Sequence, residues 1–206
     1  MITLHHLNQS RSKRIIWLLE ELGVEYRVVP YLRDKATFLA PPELKSIHPL
    51  GKSPVIEIDG RVMAESGAIT EYLIERYAPQ QLAPAKDSDE YIDYLQWLHF
   101  AESSGMLPLL LKLFIGMESA QTEFLEKYAN GEAAKVLGYV DAQLAGKQYL
   151  VAGKLTGADI MMSFIAEAVY MSGMQEHFPN IKAYLAHLST LPGYQKANQT
   201  EAELSA

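Results

Sequence analysis

Between Ser12 and Leu22 the apolar residues Ile15, Leu18, Leu19 and Leu22 fall at i, i+3, i+4 and i+7. That spacing places them on one side of a helix. Gly23 follows, the residue best suited to close a helix through left-handed backbone. Short stretches of strand formers flank this run, residues 2–6 and Tyr26–Tyr31. Pro30 lies in the second and has no N–H for an inner ladder, so that strand is expected at an edge or to end early. Val55–Ile58 and Arg61–Ala64 enclose Asp59-Gly60, the pattern of a hairpin on a two-residue turn. A helix is expected over residues 67–77, with Ile69, Tyr72, Leu73 and Tyr77 on one side. Residues 33–50 carry the breakers Pro41-Pro42 and His48-Pro49 and show no period. The order is βαβ, a break, then ββα.

Residues 79–89 read as a linker, with two prolines and small residues, and beyond them strand patterns stop. Helical periods cover residues 89–116, with a bend expected near Gly105 and Pro108. Others cover residues 118–144, 158–172 and 181–188, before a weak tail after Pro192. Two domains are therefore expected: a mixed α/β domain over 1–79 and an all-α domain over 88–206. Charge divides at the same place. Residues 1–80 balance ten Lys/Arg against ten Asp/Glu, whereas the remainder sets eight Lys against fifteen Asp/Glu and holds the whole net charge of −7. All six arginines lie at or before Arg76.

At 206 residues the chain can bury roughly 70% of its unfolded surface, enough for a core without covalent staples. It has no cysteine, which excludes disulfides, thiolate metal sites and a cysteine nucleophile. The acidic balance argues against nucleic acid as a partner. The first residues lack the apolar core of a signal peptide, and no apolar run reaches the ~20 residues of a membrane span.

Four clusters carry candidate chemistry. Ser53-Pro54, just before a strand, is a candidate cis bond that would leave the Ser53 backbone free to pair with an extended peptide-like ligand. A plain trans start to the strand is the competing reading. Glu65-Ser66 stands at a strand-to-helix junction, where a helix N-terminus suits a carboxylate and Glu65 an ammonium. A structural cap beside a solvated Glu is the competing reading there. Ser10 and Ser12 open the first helix beside Arg11. Either caps it, or a hydroxyl there donates to a thiolate and lowers the thiol pKa. Thr156 and Asp159 have the spacing of a capping box and read as structural. His5 and His6 are neighbours on a strand and face opposite ways, so they cannot share a metal. The other histidines show no ligand spacing.

In chain order these pieces resemble cytosolic-type glutathione transferases over nearly the whole sequence. The strongest signature is Lys52-Ser53-Pro54-Val55 with Glu65-Ser66 across the Asp59-Gly60 hairpin. The resemblance implies a thioredoxin-like N-terminal domain and an all-helical C-terminal domain. It implies that Ser53 and Pro54 bind the cysteinyl part of glutathione, that Glu65 and Ser66 hold the γ-glutamyl end, and that Lys52 reaches one of the ends. The Ser10-to-Arg14 segment fits the serine type, with Ser10 as the hydroxyl that stabilises the thiolate and Ser12 and Asn8 as alternatives. No tyrosine ends the first strand, and the lack of cysteine disfavours the mixed-disulfide branch. LHHLNQSRSKRIIWLLEELG, PPELKSIHPLGKSP and WLHFAESSG look most like a fungal and bacterial branch.

Implied with this are glutathione as co-substrate without a further cofactor or metal, detoxifying conjugation of a hydrophobic electrophile or reduction of an organic hydroperoxide, a homodimer, and a cytoplasmic setting. Leu7, Met106, Leu107, Leu110, Leu111 and Phe114 are the expected walls for the electrophile. Glu102 is a candidate for reaching the γ-glutamyl ammonium across a dimer interface. The alternatives are a noncatalytic transferase-like interaction module and a glutathione-dependent isomerase.

Overall fold

The computed structural model describes residues 1–118 and 122–205. They group into two compact units: Met1–Ala83 together with the chain from Ser189 onward, and Pro84–Leu188.

The first unit holds β1 (Ile2–Leu7), α1 (Ser12–Leu22), β2 (Tyr26–Tyr31), α2 (Leu44–Ile47), β3 (Val55–Ile58), β4 (Arg61–Ala64) and α3 (Ser66–Tyr77). Its sheet runs β2-β1-β3-β4. β1 pairs parallel with β2 and antiparallel with β3, and β3 pairs antiparallel with β4. Parallel β1 and β2 need a crossover, which α1 supplies. All six residues of β1 are buried, as befits an inner strand covered on both faces. β2 with Pro30 is an edge strand, as its missing N–H requires. At the hairpin, Asp59 (φ 50) and Gly60 (φ 73) both take left-handed backbone, the twist that matches two paired strands. Leu18 and Leu19 of α1 and Ile69 and Leu73 of α3 pack into the core without exposure. The stretch expected to be irregular contains one helical turn, α2, anchored by fully buried Leu44.

The second unit contains α4 (Glu90–Phe100), α5 (Leu107–Met117), α6 (Glu123–Gln143), α7 (Gly157–Met171) and α8 (Pro179–Leu188). Residues 89–116 form two helices rather than one bent one. The Gly105 N–H bonds to Phe100 O at 2.9 Å, a reach of five residues that breaks the helical ladder. Pro108 lies in the first turn of α5, where a missing N–H costs little. α6 starts at Glu123 rather than 118, and residues 119–121 of the expected helix lie outside the described residues. α7 is the central helix, burying Ile160, Met161, Met162, Ile165 and Val169.

The tail after Pro192 is helix α9 (Pro192–Ser205), and it packs on α1, within the first unit rather than the helical one to which the sequence pattern assigns it. The Tyr194 ring meets Trp17 edge-on at 5.1 Å. Gly193 permits this approach, since a Cβ there would lie 2.3 Å from Glu21 Oε1 and 3.1 Å from Trp17 Cδ1. Tyr194, Ala197, Gly193 and polar contacts anchor α9, so no broad apolar stripe marks it in the sequence.

Candidate functional site

The β1–β3 ladder ends at His5 opposite Val55. The next residue of the partner chain is Pro54, which has no N–H to continue it. The Ser53 hydroxyl takes over, accepting the Leu7 N–H at 3.1 Å and donating to His5 O at 2.7 Å. Ser53 is thereby held at the C-terminal end of the central strand, and the Ser53–Pro54 peptide is cis.

The loop after β1 lies at the same end. Ser10 and Ser12 are both buried, and their hydroxyl oxygens are 2.8 Å apart. Ser10 Oγ also accepts the Ser12 N–H at 3.2 Å. Ser10 thus satisfies the first N–H of α1, although the N-cap position itself is Arg11, without a side-chain cap bond. The Ser12 hydroxyl instead faces His6 Nδ1 at 2.7 Å and Leu7 O at 3.1 Å. It shares the Leu7 N–H with Ser53, at 3.3 Å. Asn8 Oδ1 accepts the Arg33 N–H at 2.8 Å, and the Arg33 side chain donates to Asn8 O at 3.1 Å. Arg33 thus holds the loop in place, and burial lowers its pKa, as does the nearby Arg11.

His5 and His6 face opposite sides of the sheet, as strand alternation requires. His5 meets Tyr31 OH at 3.0 Å and Glu57 Oε1 at 2.7 Å. His6 turns toward α1 and α9, with Nε2 at 2.9 Å from Glu201 Oε2. That contact lies off the line of a good hydrogen bond, so it is a close approach of ring and carboxylate. Glu201 Oε1 also accepts the Gln9 N–H at 2.7 Å. Burial pushes the Glu201 carboxyl up, but His6, the Gln9 N–H and Lys13 outweigh it and leave it below the usual glutamate range.

The N-cap of α3 falls one residue before Ser66, the expected cap. Glu65 is the N-cap residue of α3, without a side-chain cap bond, and Ser66 is the first helical residue. Ser66 is buried, and its hydroxyl accepts Arg14 Nη2 at 2.6 Å, tying the start of α3 to α1. Glu65 stands exposed at φ 70, ψ 108, a backbone that costs a non-glycine residue about 1–3 kcal/mol. Such strain clusters at ligand-holding positions. Arg11 feels the Glu65 charge, although burial outweighs it and lowers the Arg11 pKa. Lys52 is exposed and Pro54 buried.

Ser10, Ser12, Ser53 and Leu7 are thus brought into one bonded cluster, and Arg14 joins Ser66 to the same helix. His6, Arg33 and Glu201 belong to this region and carry no sequence signal, because their partners are distant in the chain. Leu7 is buried within the first unit. In the second unit Met106 is buried, Leu107 and Phe114 are exposed, and Glu102 lies half-buried in the turn between α4 and α5. Asp159 is structural: with Thr156 it forms the capping box, and it accepts the Leu150 N–H at 2.8 Å and Tyr184 OH at 2.9 Å. Among the described residues no group of three or more His, Asp or Glu is placed to hold a metal ion.

A βαβ-ββα unit with a cis-proline just before its third strand, followed by a helical unit, defines a thioredoxin-like protein of the transferase type. Sequence models of the glutathione S-transferase N-terminal and C-terminal domains match residues 1–75 and 106–192. Glutathione S-transferase 1 of Saccharomyces cerevisiae is 32% identical over 100% of this chain and 97% of its own length. Glutathione S-transferase 3 of Schizosaccharomyces pombe is 35% identical over 93% of this chain and 84% of its own. A crystal structure of a glutathione S-transferase from Actinobacillus pleuropneumoniae is 37% identical, with a TM-score of 0.90 over 98% of this chain and 93% of that one. A glutathione transferase of Phanerochaete chrysosporium, solved in complex with oxidized glutathione, is 25% identical with a TM-score of 0.82, covering 99% of this chain and 97% of that one. The chain belongs to the glutathione S-transferase family, in its fungal and bacterial range. It is a glutathione transferase with glutathione as co-substrate, rather than a noncatalytic module or an isomerase.

Proposed function

We propose that glutathione lies extended beside Ser53 and Pro54 and that Ser10 stabilises its thiolate. The γ-glutamyl end is held by Glu65 and by the start of α3 at Ser66, and Lys52 reaches a carboxylate of the ligand. The thiolate attacks a hydrophobic electrophile or reduces an organic hydroperoxide.

The observation that carries the choice of Ser10 over Ser12 is the engagement of the Ser12 hydroxyl. Ser12 is fully buried beneath Ser10 and bonded to His6 and Leu7. Asn8 could donate only through Nδ2, its Oδ1 being held by the Arg33 N–H. Ser10 Oγ accepts the Ser12 N–H and has one O–H to donate, at the N-terminus of α1. A donor aimed at a thiolate favours the charged form and lowers the thiol pKa from about 8.5. Helix N-terminal N–H groups act in the same direction.

The exposed Leu107, Leu113, Phe114 and Met117 give α5 an apolar face suited to the body of an electrophile. We assign the protein to the cytoplasm as a homodimer in which Glu102 meets the γ-glutamyl ammonium of the partner's ligand. Support for this is the family alone, together with the finding that no helix among the described residues is long and apolar enough to cross a membrane.

Thiolate absorbance against pH, measured with bound glutathione, tests the Ser10 assignment. Ser10→Ala is expected to raise the thiol pKa by about one unit with little change in affinity. An unmoved titration would assign the role elsewhere. Glu65→Ala is expected to weaken glutathione binding roughly tenfold, as loss of a charged hydrogen bond does. Unaltered affinity removes Glu65 from the site.

A further inference from the structure

Four side chains form one continuous line behind Ser10. Ser10 Oγ is 2.8 Å from Ser12 Oγ, Ser12 Oγ is 2.7 Å from His6 Nδ1, and His6 Nε2 is 2.9 Å from Glu201 Oε2. Ser10, Ser12 and His6 are buried, and the Glu201 side chain is 16% exposed. They come from the loop after β1, from α1, from β1 and from α9. With a proton on Nε2, toward the Glu201 carboxylate, the His6 ring offers Nδ1 to Ser12 as an acceptor. A hydroxyl has one proton to donate. The Ser12 proton stands between two acceptors, Leu7 O at 3.1 Å and His6 Nδ1 at 2.7 Å; turned to the nearer Nδ1, Ser12 leaves its oxygen to accept from Ser10 and from the Leu7 N–H. Ser10 in turn is left to accept from whatever lies in front of it.

We propose that His6, held by Glu201, is the acceptor of the glutathione thiol proton, reached through Ser10 and Ser12. This rests on the assignment of Ser10 above. The thiol S–H bond breaks and its proton joins Ser10 Oγ. The former Ser10 proton passes to Ser12 Oγ, and the former Ser12 proton passes to His6 Nδ1. Both serines end neutral, with Ser10 O–H now pointing at the thiolate. A neutral thiol and a neutral imidazole become a thiolate and an imidazolium, so total charge is unchanged and no co-reactant is needed. The hydroxyl that receives the proton is then the donor that stabilises the thiolate.

The charges around His6 set the balance. Lys13 of α1 and Arg33 after β2 both act on Glu201, and Arg11 lies near Arg33. These cations oppose an imidazolium, and Glu201, in contact with His6, favours it. His6, Ser12 and Glu201 touch the thiol only through Ser10 and are positioning residues.

The test is ¹⁵N NMR of the histidine rings in the full-length protein, with glutathione and with S-methylglutathione, which has no thiol proton. His6 is expected to gain a proton with glutathione and not with the methylated ligand. In Ser12→Ala and Glu201→Gln the thiol pKa is expected to rise by about one unit while glutathione affinity changes less than about twofold. The wild-type NMR comparison stands whether or not the variants fold. Equal His6 protonation with both ligands overturns the relay. A thiol pKa unmoved in both variants while Ser10→Ala raises it also overturns the relay and leaves the Ser10 assignment standing. If Ser10→Ala has no effect either, both fall.

Discussion

Replacing Asp159 by Asn and by Ala should give a smaller and a larger loss of stability. The carboxylate is fully buried and accepts four bonds. Oδ1 takes the Leu150 N–H at 2.8 Å and Tyr184 OH at 2.9 Å, and Oδ2 takes the Thr156 N–H at 2.9 Å and Thr156 Oγ at 3.0 Å. Burial pushes the carboxyl above the usual aspartate range, against those same bonds. Asn retains one oxygen, which still serves Leu150 and Tyr184. Its amide nitrogen then faces the Thr156 N–H, donor against donor, while the Thr156 hydroxyl can rotate to accept. One orphaned buried N–H costs about 1–3 kcal/mol. Ala leaves the Leu150 N–H, the Thr156 N–H and Tyr184 OH all without the partner they had, and opens a space beneath α7. Partial repair by water brings the sum to about 3–5 kcal/mol. Urea unfolding followed by tryptophan fluorescence and by circular dichroism measures both variants and checks that the two probes coincide. A cost below about 1 kcal/mol for Asp159→Ala would refute the view that this carboxylate organises the helical unit.

Gly105→Ala should destabilise by about 1–3 kcal/mol, because the new Cβ would lie 2.4 Å from Ile165 Cδ1 and 2.9 Å from Phe100 O. An unchanged thermal midpoint would show that the turn between α4 and α5 gives way freely. The Glu201 carboxyl is lowered from an ordinary value of 4.5, so its contribution to stability is complete above that pH and is lost as pH falls through the lower folded value. Urea midpoints measured on either side of pH 4.5 should therefore decline more steeply with acid in the wild type than in Glu201→Gln. Parallel slopes would mean that protonating Glu201 does not loosen α9.

Much of the glutathione unit is legible residue by residue. The spacing of Ile15, Leu18, Leu19 and Leu22 predicts α1, and Asp59-Gly60 marks a hairpin whose two strands have the predicted bounds. These features are local, set within a few residues by side-chain period and turn geometry. The break between α4 and α5 is less so. Gly105 and Pro108 mark a disturbance in the helical period, but a bend and a break look alike until the Ile165 side chain is seen filling the space a Cβ would need.

The same division runs through the site. Sequence alone determined the family motifs, the hydroxyl-rich opening of α1 and the absence of a protein thiol, because residue type and order carry that information. Only the tertiary structure decided that Ser66 is an anchor for Arg14 rather than a cap, and that Glu65 takes the strained position instead. It alone brought Glu201 to His6, across almost the full length of the chain. The reason is that a contact between side chains distant in the chain leaves no period in the sequence. It exists only once the packing of α9 on α1, through Trp17, Gly193 and Tyr194, has placed the two side chains within reach.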